Sequence, residues 1–304
     1  MLGVFENPLL LLSMKFSKIY FSFLLVFPLV VSCSDYNKVV KSDDYTKKME
    51  MANTYFEKGL SPRLKSNGTP KKTGRGEVKI HQNTLLQSVT LYEQIYQRMP
   101  RTGEGELAYF RIGKAYYHAG DYYMAGYYLG SFTQRFSSSV KAQEALFLSA
   151  MCSVKNSPEY KLDQHETELA INSLQQFINR YPESSLVDSC NHIMDRLRLK
   201  MEKKDYEAVK LYVKMQDYRA AVASAQSFIE DYPRSQHKEE IVYLMTKNSY
   251  LLSLNSVEDK KRERIEQTIE RCNTFAIEFS TSSYLAEVNK YRSAMEKELS
   301  SLVK

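Results

Sequence analysis

The sequence predicts an all-α fold, a helical-repeat solenoid of about five helix pairs closed by a C-terminal capping helix. Three observations predict it. First, two stretches share one wording: Phe177-Ile178-Asn179-Arg180-Tyr181-Pro182-Glu183-Ser184 and Phe228-Ile229-Glu230-Asp231-Tyr232-Pro233-Arg234-Ser235. Second, each closes a run of small or apolar residues on one helix face, Ala170, Leu174, Phe177, Ile178, Tyr181 and Ala221, Ala225, Phe228, Ile229, Tyr232. The register recurs from Ser88, Tyr92, Ile95, Tyr96 and Met99, from Ala125, Leu129, Phe132, Thr133 and Phe136, and from Thr268, Cys272, Phe275, Ala276 and Phe279. Third, 11 Gly and 8 Pro among 304 residues are too few for a β-rich or disordered chain.

The endings have a physical logic. Proline at Pro100, Pro182 and Pro233 stops a helix, since it lacks an N–H and disfavours helical geometry just before it. A following serine accepts a bond from a free backbone N–H where the next helix begins.

Residues 1–32 read as a targeting segment. Lys15 and Lys18 precede the apolar stretch Tyr20 to Val31, which ends at Val30-Val31-Ser32-Cys33. That ending resembles a bacterial lipoprotein signal peptide. The resemblance implies cleavage before Cys33, lipid on its thiol and a third chain on the new N-terminus. Each buried CH₂ then contributes about 0.8 kcal/mol to anchoring. The apolar run is short of the roughly 20 residues of a spanning helix. Met14 is the expected start, because the basic region would then open the chain.

Residues 33–43 are expected to be a polar tether, and 44–304 the repeat domain. Tyr45 to Gly59 reads as the first helix of repeat one, and Thr84 to Met99 as its partner. Between them an insertion at about 60–83 holds Arg63, Lys65, Lys71, Lys72, Arg75 and Lys79 against Glu77, with Pro62, Gly68, Pro70, Gly74 and Gly76. It reads as a solvated, mobile loop. The other reading of its charge is attraction to anionic headgroups or to an acidic partner.

Repeat two, Glu106 to Ser139, is the cleanest. Tyr109, Ile112, Gly113 and Tyr116 mark its first helix, Gly120-Asp121-Tyr122 a turn, and Ala125 and Leu129 its second helix. This pattern resembles the tetratricopeptide repeat. Its departure is an aromatic late in helix two, where alanine is usual: Phe132, Phe177, Phe228 and Phe275. Repeat three runs from Val140 through a turn at Ser157-Pro158 to Asp163-Gln164, Thr167 and Ala170. Ser185 to Met215 reads as one long helix with Ser185 and Asp188 as a capping box. Repeat four continues through Gln216-Asp217-Tyr218. Repeat five spans His237 to Phe279 with a polar connection at Glu258 to Glu266. Ser283 to Leu299 would cap the stack.

Little in the chain points to chemistry. The formal net charge of +6 is modest, and no basic run interleaved with aromatics forms a nucleic-acid module. Cys152, Cys190 and Cys272 have no metal or disulfide spacing and read as buried hydrophobes. His81, His118, His165, His192 and His237 are scattered. No catalytic residue, metal ligand or cofactor is expected beyond the lipid on Cys33. Tyrosine, at 23 residues with no Trp, suits helix interfaces and binding grooves. Tyr109, Tyr116, Tyr117, Tyr123 and Tyr127 are the candidate peptide groove, with Tyr109 and Tyr116 also at consensus packing positions.

The lipobox, the Phe-Ile-x-x-Tyr-Pro-x-Ser endings, Asp163-Gln164 and the long helix from Ser185 together resemble the BamD family of outer-membrane lipoproteins, part of the β-barrel assembly machinery. The resemblance covers nearly the whole mature chain, apart from the 60–83 insertion. It implies a non-enzymatic scaffold, lipid-anchored in the outer membrane with its body on the periplasmic face. Its implied partners are the barrel insertase, through that protein's periplasmic domains, and unfolded outer-membrane protein substrates. The alternative is another periplasmic adaptor lipoprotein, serving envelope division or nutrient uptake. Division adaptors usually carry a coiled coil before their repeats, and none is visible here. Nutrient-capture proteins resembling SusD are much longer.

Overall fold

The five-copy register lies in the core of the helix pairs. Its first position is buried in every copy, at Ser88, Ala125, Ala170, Ala221 and Thr268. So is the position four residues on, at Tyr92, Leu129, Leu174, Ala225 and Cys272. So is the third, at Ile95, Phe132, Phe177, Phe228 and Phe275. The aromatic that departs from the usual repeat pattern is therefore core filling, since a buried ring removes a large apolar area from water.

The structure, a computed structural model, describes residues 34–74 and 76–302. The expected signal peptide, the Met14 start and the lipid-bearing Cys33 lie outside the described residues, as does Arg75. The described residues form two compact units, one ending at Asn156 and the other beginning at Ser157.

The first unit holds α1 (Ser34–Lys41), α2 (Tyr45–Leu60), α3 (Gln82–Arg98), α4 (Gly103–Ala119), α5 (Tyr122–Arg135) and α6 (Ala142–Asn156). The expected tether is instead mostly α1. Tyr36, Val39 and Val40 share one helical face and pack against the core. The Tyr36 hydroxyl also donates to the Gln87 carbonyl at 3.0 Å. Caps define the starts. Asp44 accepts from the Lys47 N–H, Thr102 from Gly105 and Asp121 from Met124. Arg111 joins three helices: it donates to Asn53 at 3.1 Å and to the Tyr92 hydroxyl at 3.2 Å, and lies over the Phe56 ring. Tyr92 in turn donates to Asn53, and burial pushes its pKa up to about 12.

The second unit holds α7 (His165–Arg180), α8 (Val187–Met215), α9 (Tyr218–Asp231), α10 (Lys238–Leu254), α11 (Glu258–Glu278) and α12 (Leu285–Ser301). The long helix spans 29 residues, about 44 Å. The capping box expected at Ser185 and Asp188 does not form; Leu186 stands at the N-cap with no side-chain bond. The Ser184 hydroxyl instead accepts the Leu186 N–H, just ahead of the helix. The polar connection at Glu258–Glu266 is helical, the start of α11. Glu258 and Asp259 sit in its first turn, where the helix dipole favours acids, and Lys261 pairs with Glu298 of α12 at 2.7 Å. Val288 and Met295 of α12 are buried, so this helix closes the last pair.

One turn recurs between repeats. A Ser or Thr N–H donates to the carbonyl three residues back: Thr102 to Met99, Ser139 to Phe136, Ser184 to Tyr181, Ser235 to Tyr232 and Ser282 to Phe279. In the last four the serine hydroxyl then accepts the N–H two residues on. A single local device thus reverses the chain after every second helix.

Candidate functional site

The site region is built on the α4–α5 hairpin and the insertion beside it. Gly113 lets the two helices approach. A Cβ there would lie 2.7 Å from the Leu129 side chain and 3.3 Å from its backbone nitrogen. Gly120 closes α4 in the left-handed conformation, at φ +85°.

The five candidate tyrosines separate. Tyr109 is 4% exposed. Its ring packs with Tyr96, Tyr128 and Phe136 and lies under the Arg135 guanidinium. Tyr116 is half-buried and stacks on Tyr128 at 5.7 Å. Both therefore serve packing. Tyr117 is half-buried with edge-to-face contacts to His118 and Tyr122. Tyr123 and Tyr127, at 81% and 58% exposure, face solvent. The helical period explains the division. Residues 109 and 116 are two turns apart on the inner face, whereas 123 and 127 share the outer face of α5.

The insertion is not the open loop its composition suggests. Three short extended stretches pair with one another, through bridges Pro62 to Ile80, Leu64 to Pro70 and Lys72 to Val78. Their backbone bonds close a ring. The Arg63 N–H donates to the Lys79 carbonyl at 2.7 Å, Lys79 to Lys71 at 2.8 Å, and Lys71 to Arg63 at 2.7 Å. Gly68 and Gly76 turn the chain with φ of 78° and 82°. The basic side chains Arg63, Lys65, Lys71, Lys72 and Lys79 are all exposed on this frame, and those of Arg63 and Lys79 also border a recess.

Between the insertion, the α4–α5 turn and the end of α6 lies a cavity of about 520 Å³. Arg63, Lys79, Tyr117, His118, Tyr122 and Lys155 contribute to its walls, together with Glu77. Burial and the nearby Lys114 ammonium hold the His118 pKa below its usual value. Of the five candidate tyrosines, Tyr117 alone lines this cavity. Lys155 carries no signal in the sequence because it is a lone lysine at a helix end, brought to the insertion by the fold.

In the second unit, the Asp163-Gln164 pair is a folding device. Buried Gln164 donates to the Glu159 and Leu162 carbonyls at 2.9 and 3.0 Å and accepts from the Thr167 hydroxyl. Lys200 holds the same turn, bonding to Ser157 and to the Pro158 carbonyl at 2.8 Å. Cys152, Cys190 and Cys272 are buried free thiols, as expected of small hydrophobes.

The sequence matches the YfiO family, described as outer membrane lipoprotein, over residues 74–263 and again over 200–301. The chain belongs to the YfiO family. Among its relatives is the outer membrane protein assembly factor BamD of Caulobacter vibrioides, 21% identical over 187 residues. That alignment covers 62% of this chain and 61% of the relative, so the chain spans less than two thirds of the relative's length. The family match opens inside the insertion. For this YfiO chain, α1, α2 and the insertion's first two extended stretches therefore lie outside the matched span. The Phe-Ile-x-x-Tyr-Pro-x-Ser endings and Asp163-Gln164 lie within it. Among the described residues, no helix of this YfiO chain is long and apolar enough to cross a membrane.

Proposed function

We propose that this protein is a non-catalytic scaffold of outer-membrane β-barrel assembly. Lipid on Cys33 anchors it, with the body on the periplasmic face. It holds the periplasmic domains of the barrel insertase and receives unfolded outer-membrane protein substrates. The observation that carries this reading is the family match, which extends through the repeats from residue 74 to 301. The BamD relative supports the assembly role, and helix-pair repeats are suited to holding partners along an extended surface. Tyr117, Tyr123 and Tyr127 supply rings that could meet an aromatic side chain of a substrate, since aromatic contact adds area at low entropic cost.

The test is recovery of partners from detergent-solubilised outer membrane with the chain tagged at Lys304. Stoichiometric recovery of a barrel protein bearing repeated periplasmic domains supports the proposal. Recovery of a nutrient transporter, or of division proteins without that barrel, overturns it in favour of another adaptor role. Globomycin, which blocks lipoprotein signal cleavage, should make a larger precursor accumulate, and Cys33→Ser should abolish lipid labelling.

A further inference from the structure

The insertion, with its ring of backbone bonds, forms one side of the cavity. The ring places Arg63 and Lys79 on adjoining extended stretches, fixed by the Arg63 N–H bond to the Lys79 carbonyl. Lys155 reaches the same cavity from the end of α6. Two separate parts of the chain thus bring cations to one concavity. Glu77 is the carboxylate on its walls, so among the described residues the lining carries three cations against one anion, and burial lowers the His118 pKa, which favours its uncharged form. Like charges gathered in one recess raise its potential and attract an opposite charge. Tyr117 and Tyr122 meet edge-to-face at 5.7 Å beside these charges and offer aromatic surface. About 520 Å³ is room for a few residues of a polypeptide.

We propose that this cavity is a docking site for an acidic segment of a partner polypeptide that also carries an aromatic residue. The excess positive charge calls for more than one carboxylate, which a run of Asp or Glu provides and a single chain terminus does not. The aromatic residue would lie against Tyr117 and Tyr122. A lipid surface would engage the outward lysines of the insertion, Lys65 and Lys72, rather than a recess reaching back to α6. The proposal rests on this geometry and does not require the assembly reading. It is read on the purified chain alone, so it can fail while the scaffold role stands, or the reverse.

The test is fluorescence anisotropy of the full chain in detergent with a labelled peptide, Asp-Phe-Glu-Asp-Phe-Glu. Saturable binding is expected, with loss of affinity as salt rises to about 0.5 M. Lys155→Glu and Arg63→Glu, both at exposed positions, should each weaken binding about tenfold, because each reversal turns an attraction for the peptide's carboxylates into a repulsion. An Asn/Gln version of the peptide should weaken it similarly. Lys65→Glu and Lys72→Glu should change affinity less than about threefold, as expected of charges at the rim. Unchanged thermal melting of each variant establishes that folding is intact. Equal binding of the amide peptide overturns the proposal. So does equal weakening by Lys65→Glu and Lys155→Glu, which marks a diffuse basic surface. Absence of peptide binding together with capture by phosphatidylglycerol vesicles, unaffected by Lys155→Glu, would assign the insertion to the membrane instead.

Discussion

The Ser139 hydroxyl donates to the Glu106 carboxylate at 2.7 Å, across 33 residues. The same relationship recurs between Ser235 and Glu202, again across 33 residues, at 2.5 Å. In each case the serine opens the turn after a second helix, and the glutamate lies on the first helix of that repeat. The hydroxyl is used twice, since Ser139 also accepts the Lys141 N–H and Ser235 that of His237. One side chain thus closes the turn and ties it back across the repeat.

Ser139→Ala should therefore cost about 1 kcal/mol, because it removes the partner of the Lys141 N–H and leaves the Glu106 carboxylate held by the Lys141 ammonium alone. The midpoint of urea unfolding reads it. Combined with Glu106→Ala, the loss should be smaller than the sum of the two single losses, as for groups in direct contact. Strict additivity would mean that the bond contributes nothing to stability.

The aromatic late in each second helix is a stronger determinant. Phe228 is almost fully buried among Val209, Ala225 and Ile241, with the Tyr232 ring 5.1 Å away. Phe228→Ala should cost about 3–5 kcal/mol by transfer and cavity formation. Tyr123→Ala, at an exposed position, should stay within about 0.5 kcal/mol. Thermal denaturation of both variants gives the contrast. Equal losses would remove the case that the register marks the core.

These two cases show what was legible in the sequence. Phe228 and its equivalents were readable because helical spacing is a local property, repeated five times. The hydroxyl-to-carboxylate ties were not, because Ser139 and Glu106 meet only once the repeat has closed. The α1 helix was hidden by its polar residues, although Tyr36, Val39 and Val40 carried the spacing. The insertion's ring was hidden for another reason. Each extended stretch is too short to display alternation, and its bonds are made between stretches rather than within one. Within the tyrosine set, the packing roles of Tyr109 and Tyr116 followed from the repeat pattern. The position of Tyr117 beside Arg63, Lys79 and Lys155 depended on where the insertion folds.

Two helix ends offer a paired backbone test. Gly120 and Gln216 both end a helix in the left-handed conformation, at φ +85° and +59°. Both play the same role, their N–H groups bonding to carbonyls of the last turn. Glutamine has a Cβ that crowds the backbone there, at a cost of about 1–2 kcal/mol that glycine avoids. Gln216→Gly should stabilise by about 0.5–1 kcal/mol after the greater freedom of the unfolded chain is deducted. Gly120→Ala should destabilise by about 1–2 kcal/mol. Chemical denaturation of the two variants should thus move the midpoint in opposite directions. A shift of the same sign for both would show that these caps are set by something other than backbone conformation.

The last helix supplies a pH-dependent contact. Glu287 of α12 accepts from the Tyr291 hydroxyl and, at 2.8 Å, from Tyr243 of α10. Lys247 lies 3.5 Å away. The Tyr291 bond first, then the Tyr243 bond, holds the Glu287 carboxyl below its ordinary value of 4.5. The folded protein thus binds this proton less readily than the unfolded chain does. The stabilisation is present above the ordinary value and is lost as pH falls through the folded one. Glu287→Gln should lower the melting temperature at pH 7, and the gap from the native protein should narrow as pH falls below the ordinary carboxyl value. Tyr243→Phe should reduce the gap without abolishing it, because Tyr291 still donates. Melting curves at pH 7, 5.5 and 3.5 read the effect. A gap independent of pH would mean that Glu287 matters for shape alone, and that its charge does not fasten the closing helix.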